Sequence, residues 1–455
     1  MIVAPSSILC QLTPLSSLAH INLLAQLFPP WVYLHIPTGV FVFCFGACVG
    51  SFLNVVIYRL PAGMSVTTPP SRCPTCGARL QFFRENLPIL GYVLVRGHCR
   101  YCGVRISPQY MIIELMMALM FLGLYLVLFA IPRGTPWLSG IGGPWWDANT
   151  FMRAFPAYFA YAFLLAGLVA MTVIDARTFT IPIQIPLFIT FTAFIAYPLQ
   201  ALLPRWNTVS QTWPIPATCW HGVAVAFAGM AGILISYLLL KSGRFRYSFA
   251  DYHEYVKEGE TLGDYPHARR EMRLELIYLL PCIIGISAGW IFGRYLPSGP
   301  PPVILQALGA SFAGYLTGGG LIWGIRILGT LGFGREAMGL GDVHLLAAVG
   351  AVLGWFDPIL VFFLAPFSGL LWAVVSMGMA SVFKRARREL PYGPHLAVAT
   401  LVVILCRPGI HWVWNTIWPN IPWVTPGLCP LPSTATTPSA TGSMHGSSTA
   451  PRSGP

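Results

Sequence analysis

Polar positions interrupt this chain at long intervals, and the apolar positions between them gather into runs at 38–58, 110–131, 155–174, 181–203, 221–241, 276–297, 303–327, 343–356, 358–380 and 393–408. A run of about 20 apolar residues is long enough to cross a bilayer as a helix, the form in which every backbone amide finds its partner within the segment. The pattern predicts an all-α, polytopic membrane protein with about 8–10 transmembrane helices. The eighth run is short and reads as a tilted or partial crossing.

Composition supports this reading. Of the 455 residues, 55% are hydrophobic and 9% charged, against about 25% charged in a soluble domain, which excludes an ordinary water-soluble core. The net charge of +12 raises the question of a nucleic-acid partner, and location answers it. Residues 1–37 hold no Lys, Arg, Asp or Glu, whereas 59–105 holds Arg59, Arg72, Arg79, Arg84, Arg96, Arg100 and Arg105 against the single acid Glu85. Basic loops stay in the cytoplasm, so the N-terminal segment is expected outside and that loop inside. Counting forward places Arg177, the charged stretch 242–275 and KRARRE (384–389) inside too. The basic residues thus serve orientation and membrane lipid, with no nucleic-acid-binding module among them. No basic residue precedes the first apolar run, so no cleavable signal peptide is expected.

Four of the eleven cysteines stand apart. SRCPTCGARL holds Cys73 and Cys76, and GHCRYCGVRI holds Cys99 and Cys102. Each CxxC is followed by a glycine that permits a tight turn. Two such knuckles suit a tetrahedral four-thiolate metal site, with zinc favoured over iron. Two disulfides or a redox pair are the alternatives, and a reducing compartment disfavours the disulfides. A closed four-thiolate site leaves no position for substrate, so the metal is expected to be structural, stapling a small cytoplasmic domain. Cys10, Cys44, Cys48, Cys219, Cys282, Cys406 and Cys429 are scattered and read as apolar filler.

Acids beside the apolar runs are few. Asp175 closes the third run in LVAMTVIDARTFTIP, and Asp342 opens the eighth in AMGLGDVHLL. Each has a plain role open to it: Asp175 as a partner of Arg177, Asp342 as a helix N-cap. The crossing count nevertheless puts both at the cytoplasmic boundary. Two carboxylates brought close cannot both ionise, so one keeps its proton while the other acts as a base. That pair can activate water for peptide hydrolysis with no covalent intermediate. Gly339 and Gly341, without side chains, allow a substrate backbone to approach Asp342, or else allow tight helix packing.

These residues resemble a known family. GSFLNVVIYRLP (50–61), the paired knuckles, NLPILGYVLVRGHCRYC (86–102) and ISPQYMIIEL (106–115) are similar to the amino-terminal half of bacterial type IV prepilin peptidases. Asp175 with Ile181-Pro182, the GLGD of 339–342 with LLAAVGAVLGW behind it, and PYGPHLA (391–397) are similar to the peptidase half. The resemblance implies an inner-membrane aspartyl protease with Asp175 and Asp342 as its catalytic dyad. It would remove the leader of type IV prepilins and type II secretion pseudopilins on the cytoplasmic side. It further implies methylation of the new N-terminus from S-adenosylmethionine, and zinc held by Cys73, Cys76, Cys99 and Cys102.

Three features depart from the family. The acids lie farther apart in sequence, with two extra candidate spans between them. Ile183 replaces the polar residue common after Ile-Pro, and His344 replaces a lysine common two residues past the second acid. The domain reading is an external segment 1–37, an amino-terminal domain 38–131 with knuckles at 71–105, and a peptidase domain 155–412 with an insertion at 204–300. A Ser/Thr/Pro-rich tail, 427–455, follows and is expected to be disordered. A membrane scaffold or transporter with a zinc module, and a protease of the same dyad type acting on other substrates, are the competing functions. The sequence does not specify an oligomeric state.

Overall fold

The computed structural model describes residues 30–81, 84–131, 141, 144–203, 215–216, 218–255, 265–297, 299–380 and 392–418. The KRARRE run, the tail and most of the N-terminal segment lie outside them. Among the described residues there are helices and two isolated β-bridges.

Eight helices are long and apolar enough to cross a membrane. They are α1 (Pro30–Arg59), α2 (Gln109–Tyr125, extended by a π-turn over Leu126–Ala130), α3 (Phe151–Thr178), α4 (Gln184–Leu202), α5 (Trp220–Lys241), α6 (Ala268–Gly293), α7 (Val303–Phe333) and, beyond a shorter helix, α9 (Asp357–Ala380). The shorter helix, α8 (Leu340–Leu353), has 14 residues. At 1.5 Å per residue it reaches about 21 Å, less than the hydrocarbon core. The last apolar run is not one straight span: α10 (Tyr392–Leu405) and α11 (Arg407–Ile417) meet at a bend of 80°. The break falls where Arg407 and Pro408 begin α11, and Arg407 forms an ion pair with Asp357 at the start of α9. The chain is thus a multi-pass membrane protein, with eight helices of crossing length, one short apolar helix and one bent pair among the described residues.

Small residues set the closest crossings. Gly46 and Gly50 of α1 lie against Met117, Ala118 and Glu114 of α2, where an added methyl would meet backbone at 3.1 Å or less. Gly314 and Gly318 of α7 lie against Gly350 and Leu346 of α8, and Gly285 and Gly289 of α6 against Ala228 and Ala224 of α5. With lipid on the outside as apolar as leucine, such close packing is what holds membrane helices together. Helix α3 is the most enclosed, with 72% of its spanning window buried, while α6 and α9 have 17% and 11%. Asp175 is therefore carried on the most enclosed of these helices, and the pair α5–α6 lies toward the periphery.

Candidate active site and metal centre

The two cysteine knuckles fold alike. The Cys73 N–H donates to the Ala78 carbonyl at 2.9 Å and the Gly77 N–H to the Cys73 carbonyl at 2.9 Å; in the second knuckle Cys99 donates to Val104 and Gly103 to Cys99, both at 2.8 Å. Gly77 and Gly103 both take φ of +71°, a conformation costly for any residue with a Cβ. Isolated bridges Arg72–Arg79 and His98–Arg105 close the two turns. The loops thereby bring the sulfurs of Cys73, Cys76, Cys99 and Cys102 within 4.8 Å of one another. Cys73 Sγ lies 3.9 Å from Cys102 Sγ, and Cys76 Sγ 3.9 Å from Cys99 Sγ. Four sulfurs at the zinc–thiolate distance around a tetrahedral centre would be about 3.8 Å apart, so the cage fits one metal ion. All four cysteines are free thiols. The backbone N–H groups of Cys76 and Thr75 lower the Cys73 thiol, while at Cys102 the backbone N–H of Val104 is outweighed by burial and the neighbouring thiols, which raise it, as expected of four sulfurs crowded together with one of them ionising first.

The module is moored to the bundle by Glu114. This buried α2 carboxylate accepts the Ile89 N–H at 2.7 Å, and Asn54 of α1 donates to the Tyr110 carbonyl at 3.0 Å. Arg177 reaches Gln109 at the start of α2. The end of α3 that carries Asp175 therefore lies beside the knuckles.

Helix α3 stops just past Asp175 because Phe179 turns left-handed, φ +53°, with its N–H on the Asp175 carbonyl at 2.9 Å. Thr180, Ile181 and Pro182 then lead into α4. From Asp175 to Asp342 the chain runs through α4, α5, α6 and α7, four crossings, and so returns to the same end of the bundle. Both acids are buried, Asp175 at 6% and Asp342 at 9% exposure, and Asp342 senses the charge of Asp175. Ile181 joins the two sides. A Cβ added at Gly341 would sit 2.8 Å from Ile181 Cβ, and one at Gly393 would sit 3.2 Å from Ile181 Cδ1 and 2.6 Å from Asp175 Oδ2.

Neither plain role holds as the sequence framed it. Arg177 bonds Gln109, and the Asp175 carboxylate instead accepts the backbone N–H of Gly393 in α10. The N-cap of α8 is Gly339. Asp342 is the third helical residue, and its carboxylate reaches back to the Gly339 N–H, the acid's half of a capping box. The two glycines also differ. Gly341 is packed against Ile181, whereas a methyl at Gly339 would make only ordinary contacts, with Asp342 Oδ2 at 3.6 Å and the Gly341 nitrogen at 4.0 Å. His344 lies one turn up α8 and is partly buried. Ile183 is exposed ahead of α4.

Sequence reasoning missed a second cluster of charge. Arg326 of α7, Glu275 of α6 and Glu336 in the turn before α8 form a buried triad, at 2.9 Å and 2.5 Å from the guanidinium nitrogens. Their signal was present: an arginine within an apolar run and a glutamate at the lip of another, both expensive there without partners. Gly393 gave no such signal, because only the packing of α10 on α3 brings it to Asp175.

Fold and site define a multi-pass helical membrane protein with a four-thiol metal module and two buried carboxylates at one end of the bundle. Residues 44–128 match the bacterial peptidase A24 N-terminal domain, and residues 272–374 match the type IV leader peptidase family. The chain thus carries matches to both domains, in this order. Asp342 falls in the second match and Asp175 between the two. The chain is 51% identical over 83 residues to the prepilin leader peptidase/N-methyltransferase of Myxococcus xanthus, covering 18% of this chain and 24% of that protein. It is 24% identical over 415 residues to that of Aeromonas salmonicida, covering 85% of this chain and 96% of the relative. With the Klebsiella pneumoniae protein of the same name it shares 26% identity over 323 residues, 70% of this chain and 86% of the relative. No solved structure gives a significant match.

Proposed function

We propose that this protein is an aspartyl peptidase of the bacterial inner membrane that removes the leader of type IV prepilins and type II secretion pseudopilins. The observation that supports the reading is that Gly393 packs on Asp175 and Ile181, and Ile181 on Gly341, the neighbour of Asp342, so that two buried acids 167 positions apart lie at one end of the bundle. Desolvated and close, the two carboxylates share one proton between them. The ionised one takes a proton from water as the oxygen attacks the scissile carbonyl. The protonated one gives its proton to the departing amine as the C–N bond breaks. The proton gained by the base returns the pair to its starting state, with the two roles exchanged. The Gly393 N–H holds Asp175 and the Gly339 N–H holds Asp342, so neither carboxylate has to be ordered when substrate arrives.

The site end of the bundle carries the knuckle module with its arginines, which by the positive-inside rule faces the cytoplasm. Zinc is the metal best suited to four thiolates, and its place is structural: Cys73, Cys76, Cys99 and Cys102 would hold it and fix the loop between α1 and α2. The relatives' shared name pairs cleavage with N-methylation, and we extend methylation from S-adenosylmethionine to this chain on that basis, assigning it no residues.

The test is to incubate the chain, purified in detergent, with a prepilin carrying a basic leader and apolar helix, and to weigh the product. Loss of the leader, plus one methyl group when S-adenosylmethionine is added, supports the reading. An uncut prepilin with a zinc-loaded, folded protein contradicts it.

A further inference from the structure

Asp342 is held by one particular peptide group. Its Oδ2 lies against Gly339, 3.6 Å from where a Cβ would stand, with the Gly339 N–H as its backbone partner, and the carbonyl of that same peptide unit, belonging to Met338, accepts from Arg326 Nη1. A trans peptide points its C=O and N–H in opposite directions. The 338–339 peptide is therefore a rigid spacer with the arginine on one side and the acid on the other. A charged donor on the carbonyl also strengthens the bond made by the N–H.

Arg326 is itself tightly fixed. It is 2% exposed, and Nε and Nη2 grip the Glu275 carboxylate, with Nε 3.1 Å from both oxygens and Nη2 2.9 Å from Oε1. Glu336 Oε1 lies 2.5 Å from Nη1, and the Phe249 ring lies beneath the guanidinium at 5.4 Å. Glu275 is steadied in turn by Trp323 Nε1 at 2.8 Å. The same turn is pinned at two further points. Thr330 Oγ1 accepts the Ala337 N–H at 3.1 Å, and Arg269 donates to the Leu331 and Gly332 carbonyls at 3.0 and 3.2 Å. Glu275 and Arg269 come from α6 and Phe249 from the stretch between α5 and α6, all between the two acids in sequence.

We propose that Arg326 is a positioning residue for Asp342, acting through the Met338–Gly339 peptide, and that α6 supplies Glu275 to orient it. This rests on the peptidase reading for its use, though the geometry of the hold is independent of it.

Replacing Arg326 alone would strand two buried carboxylates and risk unfolding. The decisive variant is the triple Glu275→Leu, Arg326→Met, Glu336→Leu. Apolar replacement of a whole buried triad is commonly tolerated by the fold, and zinc content and melting temperature check that it is tolerated here. Two readouts are taken on the purified chain: hydrogen exchange of the amides at 336–342, and kcat and KM on a prepilin peptide. The expected result is exchange faster by about tenfold at Gly339, the equivalent of one lost hydrogen bond. With it, kcat should fall by about 100-fold, the scale of a misplaced catalytic group, with KM near wild type. Unchanged exchange overturns the proposal, and so does faster exchange with unchanged kcat. A wild type that cuts no prepilin overturns the peptidase reading instead, and the exchange measurement, which needs no substrate, still decides whether Arg326 holds the peptide.

Discussion

Gly393 stands so close to Asp175 that a methyl group at position 393 would lie 2.6 Å from the carboxylate oxygen Oδ2. The same glycine offers its N–H to that carboxylate. Helix α10 thus begins against the acid at the end of α3, and the first turn of α10 forms one wall of the site.

Gly393→Ala should therefore push Asp175 off its N–H while leaving the helices in place. The expectation is a drop in prepilin cleavage of about 100-fold, as for a displaced catalytic group, with a change in melting temperature of a few degrees at most. Kinetics and a melting curve on the same preparation decide it; activity within a factor of two of wild type counts against the described wall.

Gly341 makes a different contact, with Ile181, where an added Cβ would sit at 2.8 Å. Gly341→Ala should lower both stability and cleavage by overpacking, at a cost of about 1–3 kcal/mol. Trimming the neighbour, in Gly341→Ala with Ile181→Ala, should recover most of the loss. Absence of recovery in the double variant places the defect elsewhere than this contact.

The metal cage gives a direct count. Elemental analysis should find one zinc per chain, and Cys73→Ser should bring it near background. Stripping the metal with a chelator should loosen residues 60–106, read as faster hydrogen exchange there, because the cage closes a loop with little core of its own. Exchange in α7 and α8 should stay as it was. A wild-type chain that purifies folded and metal-free contradicts the assignment.

Much of this arrangement is legible in the sequence, and the reasons differ from residue to residue. Asp175, Asp342 and the four cysteines are chemically conspicuous in a chain with so few polar groups, and parity of crossings alone brings the two acids to one side. The start of α8 was less visible. Apolarity places it at 343, but Leu340, Gly341 and Asp342 already form its first turn, because the Asp342 carboxylate satisfies the Gly339 N–H. The break between α10 and α11 was equally hidden, since an arginine and a proline after an apolar run read as its end and not as a bend. Ile181 and Gly393 stand in motifs the sequence singles out, but their contacts with Gly341 and Asp175 are not legible there, because they depend on which helices are neighbours.

Topology offers a fourth check. By parity of crossings, Lys241 at the end of α5 falls on the side of the knuckles and Gly299, ahead of α7, on the opposite side. Single cysteines at these positions, probed in intact cells with a membrane-impermeant maleimide, should label at 299 and stay unlabelled at 241. The reverse pattern would turn the site outward and remove a cytoplasmic substrate from consideration.

The central claim is that Asp175 and Asp342 act together on a peptide bond. Its most direct test is cleavage of a prepilin by the purified wild type, by Asp175→Asn and by Asp342→Asn, at matched zinc content and melting temperature. The account predicts that each single substitution abolishes cleavage to the limit of detection while the metal module stays loaded. Cleavage at the wild-type rate by either variant would remove that acid from the chemistry and leave the pair as architecture, as in a membrane scaffold or transporter with a zinc module.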